Sequence, residues 1–548
     1  MNTSTTMAVA VVTALRSGEV TDVVLSPGSR SAALAIALHE ADAAGLLRLH
    51  VRVDERSAAF LALGLAKGSH RPVAVVTTSG TAVAQLHPAV LEAAHAGEPV
   101  VVVSADRPAK LRGTGANQTS PYQVAVFGAA APATDVAPDH PAEAAAAISR
   151  AVRRHGPSHI NVQFAEPLLP ETLPLGLAAI ETDVDLDAAD TDPAARPEHG
   201  QSLRIPPGPR TVVVAGDDAG PSARWLAEEA NWPLLAEPTS GARTGTHALR
   251  TYRLLLESGL GEQIERVVVT GHPTLSRPVT ALLSRSDVEV IAVKGRSGVG
   301  TDPGRVARHV AVMPEPGGRE DETWIDAWRA ADRRLSKALD AVAAEAGDAL
   351  PLQVAAEVAA AVTAGALLVV GSSQPVRDLD LMAPVYPAGQ RRLVVGNRGL
   401  AGIDGMVSTA MGAALGRRSS RSLAYVGDVT FVHDLAGLVV GPDEPRPDLT
   451  IVVANDDGGA IFSTLEQGGT TYAGAFERVF ATPHRVDLRA VCVATGTAYE
   501  RADDAADLRD LLAADVAGVR VVEVPIPRRR RRMLADRLRA VVEPGGDG

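Results

Sequence analysis

Two acidic turns near the end of the chain have the residue types and spacing to bind a metal ion and a phosphate. The strand pattern 422–426 runs into Gly427-Asp428-Val429-Thr430, and the strand pattern 449–453 runs into Asn455-Asp456-Asp457-Gly458-Gly459. Because parallel strands end at one sheet edge, we expect two carboxylates to meet there. Mg²⁺ prefers such oxygen ligands, and backbone amides at a helix start, here those of Val429 and Thr430, suit a phosphate. The alternative is two tight turns whose aspartates cap helices.

A third carboxylate, Glu55, follows an early strand pattern. It lies in Asp54-Glu55-Arg56, directly after the strand pattern 49–53. Taken alone, a glutamate at a strand end is typical of a solvated helix cap. Glu55 becomes a candidate functional residue only when it is considered together with the two late turns.

Alternating strand and helix patterns must position these groups. Apolar strand patterns at 23–25, 73–76 and 100–103 alternate with helix patterns in the first 165 residues, and five more strand patterns recur between 366 and 524. Continuous apolar strands separated by helices indicate parallel sheets covered on both faces. We therefore predict an α/β fold of three doubly wound parallel-sheet domains, with ligands at the carboxyl ends of the strands.

Changes in composition suggest the domain boundaries. Prolines and acidic residues crowd between about 168 and 210, which is typical of an exposed linker. We place the first domain at 1–180, the linker at 181–210, a central α/β domain at 211–345 and the last domain at 350–548. The central domain has few polar residues at its strand ends, which is typical of a spacer.

Composition excludes several classes of protein. The 548 residues carry a formal net charge of −12 and one cysteine, Cys492. The negative charge disfavours a nucleic-acid or anionic-membrane surface, and a single cysteine excludes a disulfide framework. The N-terminus lacks the pattern of a secretory signal and the apolar runs are strand-sized, so we expect a cytoplasmic protein without a membrane partner. The arginine run 528–532 is interpreted as a solvated helix face.

The two late turns together resemble the motif of thiamine diphosphate-dependent enzymes, which is Gly-Asp-Gly followed by Asn-Asn. Here Val429 replaces the third glycine, and Asp456 stands where the second asparagine usually ligates metal. The resemblance implies that Asp428, Asp456 and the carbonyl of Gly458 hold Mg²⁺ or Mn²⁺, with Asn455 left open as the alternative to Asp456. It also implies that the three domains are pyrimidine-binding, central and diphosphate-binding, in that order.

The same resemblance gives Glu55 a catalytic role. Enzymes of this family place a carboxylate beside N1′ of the aminopyrimidine, where it promotes the tautomer whose 4′ nitrogen removes the proton from thiazolium C2. The family resemblance further implies a homodimer with cofactor sites at the subunit interface, or a dimer of such dimers. It implies cofactor contacts at nine positions besides Glu55: Thr78, Gly80, Gly402, Ile403, Gly427, Asp428, Val429, Thr430 and Gly459.

A wider set of motifs is similar to one branch of this family, which decarboxylates 2-oxoglutarate and adds the resulting carbanion to isochorismate in menaquinone biosynthesis. The motifs are Ser26–Arg30, Thr78–Ala82, Ala105–Pro108, Gly113–Gln118, Asn397–Gly399, Gly402–Gly405 and Gly459–Phe462. The alternative is another thiamine diphosphate-dependent 2-oxo acid decarboxylase or carboligase, such as acetolactate synthase.

Four arginines in strand-end turns fit this branch. Both implied substrates carry two carboxylates, and an arginine fork binds a carboxylate with two hydrogen bonds and keeps its charge. Surface salt bridges are the commoner role of arginine, but four such turns at ligand-facing strand ends favour substrate binding. The expected substrate-binding residues are Ser29, Arg30, Arg107, Asn117, Gln118, Ser373, Arg377, Arg398, Ile461 and Phe462.

Overall fold

The computed structural model describes residues 1–179, 203–345, 350–417, 419–528 and 531–542. Within these ranges, two compact units are distinguished by their internal contacts. The first unit comprises 1–179, 404–417 and 433–447, and the second comprises the other described residues. Most of the expected linker 181–210 lies outside the described residues, and the predicted domain boundaries stay predictions.

The strands and helices are numbered separately in chain order. The strands are β1 Asp22–Leu25, β2 Arg48–Val51, β3 Val73–Thr77, β4 Val100–Asp106, β5 Ala133–Val136, β6 Ser158–Gln163, β7 Arg204–Ile205, β8 Thr211–Ala215, β9 Leu234–Ala236, β10 Arg266–Thr270, β11 Glu289–Val293, β12 Arg308–Val310, β13 Glu315–Pro316, β14 Leu367–Val370, β15 Leu393–Val395, β16 Ser422–Gly427, β17 Leu449–Asn455, β18 Ala498–Arg501 and β19 Val519–Pro525. The helices are α1 Thr3–Ser17, α2 Ala32–Ala43, α3 Glu55–Ser69, α4 Thr81–Gln85, α5 His87–Ala96, α6 Pro141–Ala151, α7 Pro221–Ala230, α8 Tyr252–Leu255, α9 Gly259–Glu262, α10 Arg277–Leu282, α11 Glu322–Ala344, α12 Leu350–Ala361, α13 Gln374–Met382, α14 Met406–Arg417, α15 Asp428–His433, α16 Ala473–Phe476, α17 Leu488–Ala494, α18 Ala505–Ala513 and α19 Arg531–Val542.

The first unit is built on one six-stranded sheet. Its strand order is β2-β1-β3-β4-β6-β5, and every neighbouring pair is parallel. Strands β1, β3 and β4 are buried along their whole length, because valine-rich runs fit a sheet that helices cover on both faces. The carboxyl ends of these strands lead into the turns that hold the predicted site residues.

The second unit contains two larger parallel sheets. One has the order β12-β11-β10-β8-β9, and the other has the order β15-β14-β16-β17-β19-β18. If β14 is counted as the first strand of this second sheet, its strand order becomes 2-1-3-4-6-5, which is the order found in the sheet of the first unit. The predicted class of parallel-sheet α/β domains is therefore confirmed. A short parallel pair, β7 with β13, lies apart from these sheets.

Some local predictions are wrong. The helix after the Gly427 turn is short, spanning Asp428–His433, and is followed by a 3₁₀ turn, Leu435–Leu438. Seven of the described strands lack a matching strand prediction: β5, β6, β7, β9, β12, β13 and β18. Among the helices of the described residues, not one combines the length and the apolar character needed to cross a bilayer.

Candidate active site

Glu55 is the first residue of α3 and is half-buried. Asp54 caps this helix, because its side chain accepts the Ser57 N–H at 2.7 Å. Arg56 donates to the carbonyl of His433 at 2.8 Å. The first turn of α3 is thus held on both sides of Glu55, which fixes the point where the carboxylate leaves the helix.

A buried aspartate joins the start of α3 to the start of α14. Asp434 accepts the N–H of Ser408 at 2.7 Å and the hydroxyl of Ser57 at 3.3 Å. Burial raises the pKa of Asp434 above its usual range. Because a buried carboxyl group depends on its donors, this connection resists movement of Glu55.

Glycines let α3 and α14 pack with their backbones in contact. A Cβ on Gly64 would lie 2.1 Å from the carbonyl oxygen of Thr409, and a Cβ on Gly412 would lie 2.1 Å from that of Leu61. Any larger residue at either position would push the helices apart. The position of Glu55 therefore depends on a small-residue contact along the whole length of α3.

The turns after β1 and β3 contain buried hydroxyl groups. The side-chain oxygens of Ser26 and Thr78 are buried and have no hydrogen-bond partner among the described residues. Gly28 lies so close to Thr78 that a Cβ would come within 2.3 Å of it. Gly80 has a φ of 81° and donates its N–H to Gln123 at 2.8 Å. Orphaned hydroxyls in a tight cradle fit a bound polar group such as an aminopyrimidine.

Arg30 and Arg107 lie near each other at this edge. Arg107 donates to the side chain of Asn117 at 3.0 Å and to the carbonyl of Gln118 at 3.2 Å. Arg30 donates to the carbonyl of Phe164 at 3.1 Å, and its Nε is buried without a partner among the described residues. Burial, and then the charge of Arg107, lower the pKa of Arg30. Two guanidinium groups held together favour an anion, and Ser29 lies exposed beside them.

Asp428 is the first residue of α15 and follows Gly427 at the end of β16. Its Oδ2 accepts the N–H of Gly458 at 2.6 Å and lies 2.8 Å from Nε2 of His484. The hydrogen bond that His484 donates to Asp428 raises the pKa of His484. Because Val486 donates its N–H to Nδ1 of this histidine at 3.0 Å, the neutral ring carries its proton on Nε2.

Val429 and Thr430 follow Asp428 in the first turn of the same helix. Their backbone amides belong to the helix start, where N–H groups have no partner inside the helix. Gly427 has space beside it, since a Cβ there would meet only the Pro375 side chain at 3.9 Å. The predicted diphosphate contacts are therefore adjacent at the carboxyl end of β16.

Asp456 pairs with Arg531, which the sequence did not identify. Its two oxygens accept from Nε and from a terminal nitrogen of Arg531, both at 3.0 Å, and Arg531 also donates to Asp378 at 2.6 Å. Burial raises the pKa of Asp456 to about 6. The prediction of a solvated face for the arginine run is wrong for Arg531, whose side chain is only 2% exposed.

The neighbours of Asp456 shape the same loop. The side-chain oxygen of Asn455 accepts the N–H of Asp457 at 2.9 Å, and its amide donates to Glu523 at 2.6 Å. Gly458 has a φ of 129°, and a Cβ there would lie 2.1 Å from the carbonyl oxygen of Ala481. Only glycine fits this turn.

The donors around this loop suit a hard cation. Asp428 and Asp456 are both buried and follow the neighbouring parallel strands β16 and β17. Among the described residues, no group of three or more His, Cys, Asp or Glu side chains forms a closed metal site. A cation here would rest on two carboxylates, a carbonyl and the oxygens of a ligand, which is a donor set that Mg²⁺ accepts.

Arg377 and Arg398 lie at the carboxyl edge of the last sheet. Arg398 is 1% exposed and donates to Ser372 at 3.3 Å and to Thr274 at 2.7 Å. Arg377 donates to the carbonyl of Ser373 at 2.7 Å. Burial, and then the charges of Arg253 and Arg398, lower the pKa of Arg377 to about 10. Three guanidinium groups whose charges act on one another favour an anionic ligand, although the buried carboxylates of Glu237 and Asp378 offset part of their charge.

The remaining predicted residues lie in loops of the second unit. Ile461 and Phe462 are half-buried in the 3₁₀ turn Ala460–Thr464, and the Phe462 ring lies 5.9 Å from that of Phe480. Gly459 is packed closely, since a Cβ would lie 2.7 Å from the Phe480 carbonyl. Gly402 and Ile403 are half-buried before α14.

Sequence reasoning missed several groups that act on these residues. Arg531 was hidden in a charge run, and His484 stands alone without a local motif. Glu237 is fully buried, accepts the N–H of Leu275 at 2.9 Å, and has its pKa raised to about 8 by burial. The positive charge of Arg398 acts in the opposite direction and lowers this pKa. Only the spatial arrangement could have revealed these partners.

Comparison with known proteins gives two family matches. The N-terminal TPP binding domain of thiamine pyrophosphate enzymes matches residues 5–126, and the C-terminal TPP binding domain matches residues 380–524. The overall fold is similar to a benzoylformate decarboxylase from Polynucleobacter necessarius, with a TM-score of 0.62, 17% identity, and coverage of 95% of this chain and 98% of that chain. That likeness concerns the fold.

Relatives that match over the full length of the chain identify one branch of this enzyme family. A 2-succinyl-5-enolpyruvyl-6-hydroxy-3-cyclohexene-1-carboxylate (SEPHCHC) synthase from Nocardioides sp. is 53% identical over 541 residues, covering 97% of this chain and 96% of the relative. A protein of the same name from Kineococcus radiotolerans is 47% identical and covers 99% of both chains. The chain therefore belongs to the SEPHCHC synthase family of thiamine pyrophosphate enzymes.

Proposed function

We propose that this protein catalyses the thiamine diphosphate-dependent decarboxylation of 2-oxoglutarate and the 1,4-addition of the remaining four-carbon unit to isochorismate, giving SEPHCHC. The observation that carries this proposal lies within the second unit, where the carboxyl edge of the last sheet holds the Asp428–Gly458 contact as well as Arg377 and Arg398. The names of the full-length relatives support the same reaction. A location in the cytoplasm is proposed with it, since both substrates are charged metabolites.

Asp428, Asp456 and the carbonyl of Gly458 would hold Mg²⁺ or Mn²⁺. The amides of Val429 and Thr430, with the small residues Gly427 and Gly459, would receive the diphosphate. When bound, thiamine diphosphate supplies an electron sink that the protein lacks. The residues around it would position the ion, and the contact between His484 Nε2 and Asp428 would keep that carboxylate oriented.

Glu55 would hold a proton at N1′ of the aminopyrimidine. Its fixed place at the start of α3 supports this role, because proton transfer needs the carboxylate within hydrogen-bond reach. Thr78 and Gly80 would contact the same ring, and the buried unpartnered hydroxyl of Thr78 supports that assignment. Gly402 and Ile403 would contact the cofactor from the loop before α14.

The arginines would bind the carboxylates of the two substrates and exclude neutral competitors. Arg30 and Arg107 act with Ser29, Asn117 and Gln118, whereas Arg377 and Arg398 act with Ser373. Ile461 and Phe462 would present an apolar surface to the isochorismate ring. Orienting two polyanions beside one reactive carbon accounts for most of the protein's contribution, since correct placement alone lowers the barrier strongly.

Product analysis tests the reaction. The enzyme is incubated with thiamine diphosphate, Mg²⁺ and 2-oxoglutarate, with and without isochorismate, and the products are identified by mass spectrometry. We expect SEPHCHC only when both substrates are present. Release of succinic semialdehyde alone in both incubations, or formation of acetolactate in a parallel incubation with pyruvate, would instead support the alternative decarboxylase or carboligase.

We also propose a homodimer with cofactor sites at the subunit interface, or a dimer of such dimers. Mixing two inactive variants tests it, because Glu55→Gln and Asp428→Asn would lie in different halves of each shared site. After subunit exchange, half of the dimers are mixed and have one intact site, so roughly a quarter of the wild-type activity should return. No recovery despite demonstrated exchange would show that each site uses one subunit only.

A further inference from the structure

The arginine run at 528–532 is the one sequence motif that the proposed reaction does not use. Its first member, Arg528, donates to the carbonyl of Asp457 at 2.9 Å and to Glu477 at 2.6 Å. Arg531 forms the bidentate pair with Asp456, and Arg532 donates to the carbonyl of Gly468. The described members of the run therefore contact the loop after β17 and the segment 468–477 that follows it.

Arg531 differs from its neighbours because it is buried together with several carboxylates. Asp378, Asp428 and Asp456 are each less than a tenth exposed, and Arg531 is 3% exposed. Its guanidinium donates to Asp378 and to both oxygens of Asp456. Removing one partner of a buried pair leaves an uncompensated charge, which is far costlier than losing a surface pair.

Charge counting indicates what this guanidinium does for the site. Three buried carboxylates carry three negative charges, and one divalent cation cancels only two of them. A diphosphate that arrives at the same place adds further negative charge. Arg531 supplies the missing positive charge, and its fork also fixes the plane of the Asp456 carboxylate while leaving the other lone pairs of both oxygens open to a cation.

We propose that Arg531 is a positioning residue of the metal site, which neutralises Asp456 and orients it so that one divalent cation and a diphosphate bind together. The inference rests on the metal site of the proposed function and deepens it. It assigns the C-terminal helix α19 a direct part in cofactor retention. A merely structural anchor would weaken every ligand alike, whereas a charge partner affects cation and anion in opposite directions.

The test measures two ligands separately on the full-length enzyme. Binding of Mn²⁺ without cofactor is followed by electron paramagnetic resonance, and binding of thiamine diphosphate at saturating Mg²⁺ is followed by calorimetry. In Arg531→Gln, we expect Mn²⁺ to bind roughly tenfold more tightly and thiamine diphosphate roughly tenfold more weakly, because one positive charge has left the site. Adding Asp456→Asn to Arg531→Gln removes the excess negative charge and should return both affinities towards the wild-type values.

Two further variants keep the result decisive. Arg531→Lys retains the charge and should keep both affinities within about threefold of the wild type, even if the Gln variant does not fold. Arg539→Gln changes an exposed arginine of the same helix, which pairs with Asp536 at 2.6 Å, and should change neither affinity.

Results that contradict the role of Arg531 can be distinguished from results that contradict the proposed metal site. Unchanged binding in Arg531→Gln, or parallel weakening of both ligands without rescue by Asp456→Asn, would overturn the role of Arg531 while leaving the proposed function intact. If Arg531→Gln does not fold, failure of the Lys variant or of the double variant to bind would overturn it as well. If the wild-type enzyme itself bound neither Mn²⁺ nor thiamine diphosphate, the proposed metal site would fail first.

Discussion

Replacing Gly64 with alanine should disturb Glu55 from nine residues away. The new Cβ would lie 2.1 Å from the carbonyl oxygen of Thr409, whereas ordinary contacts begin at 3.4 Å, so α3 and α14 must separate locally by 3.4 − 2.1 = 1.3 Å. Overpacking of this kind costs about 1–3 kcal/mol, and alanine recovers up to about 1 kcal/mol through its higher helix propensity. With full recovery, we therefore expect the free energy of unfolding to fall by about 0–2 kcal/mol.

The larger effect of Gly64→Ala should be on turnover. A shift of about 1 Å at a positioned catalytic group can cost on the order of a hundredfold in rate. Denaturant unfolding and steady-state kinetics measure the two effects on the same protein. Gly416→Ala is a graded comparison, since its Cβ would lie 2.8 Å from the Leu65 carbonyl, and Gly259→Ala is a control with no atom within 4 Å. If Gly64→Ala matched Gly259→Ala in both stability and rate, the close helix contact would not position Glu55.

Two other perturbations test separate parts of the structure. Asp22 accepts from Arg48 at 2.7 Å and from His50 at 2.9 Å, so Asp22→Asn should lower the free energy of unfolding by about 3–5 kcal/mol. Burial raises the pKa of Asp22, but the hydrogen bonds from His50 and Arg48 outweigh it and hold this pKa below its usual range. The stabilisation is therefore present above about pH 4 and lost as the pH falls, and a wild-type acid-unfolding curve that coincides with that of Asp22→Asn would contradict this. Arg398→Met should raise the KM for one dianionic substrate about tenfold or more, because a charge-assisted hydrogen bond contributes about 1.5–3 kcal/mol. If the KM of each substrate were the same in Arg398→Met as in the wild type, Arg398 would not bind substrate.

Sequence patterns predicted the parallel sheets well because their signal is local. Valine-rich runs such as those in β4 and β8 are buried on both faces, and each ends in a turn with glycine, serine or aspartate. Strand β6 escaped prediction because it reads Ser-His-Ile-Asn-Val-Gln, with polar residues at alternate positions. Those residues are buried through partners far along the chain, since Ser104 bonds both His159 at 2.7 Å and Asn161 at 2.9 Å.

The site was predictable only where its chemistry is carried by residues close in sequence. The Gly427-Asp428 and Asp456-Gly458 turns stand out because strand, turn and helix follow one another directly. Arg531 acquires its role through an aspartate 75 positions earlier, and a run of arginines gives no sign of which member is buried. His484 likewise depends on a contact across 56 positions. Such contacts arise from folding and leave no pattern in the neighbouring residues.

Exchange of the C2 hydrogen of bound thiamine diphosphate tests the central claim most directly, because it reports the proton transfer assigned to Glu55 without any substrate. The exchange rate in D₂O is followed by acid quench and nuclear magnetic resonance, for wild type and for Glu55→Gln at saturating Mg²⁺ and cofactor. We expect Glu55→Gln to bind the cofactor and to slow exchange by about 10²–10⁴-fold, the usual contribution of a positioned acid–base group. Equal exchange rates in the two proteins, with cofactor bound in both, would contradict the account.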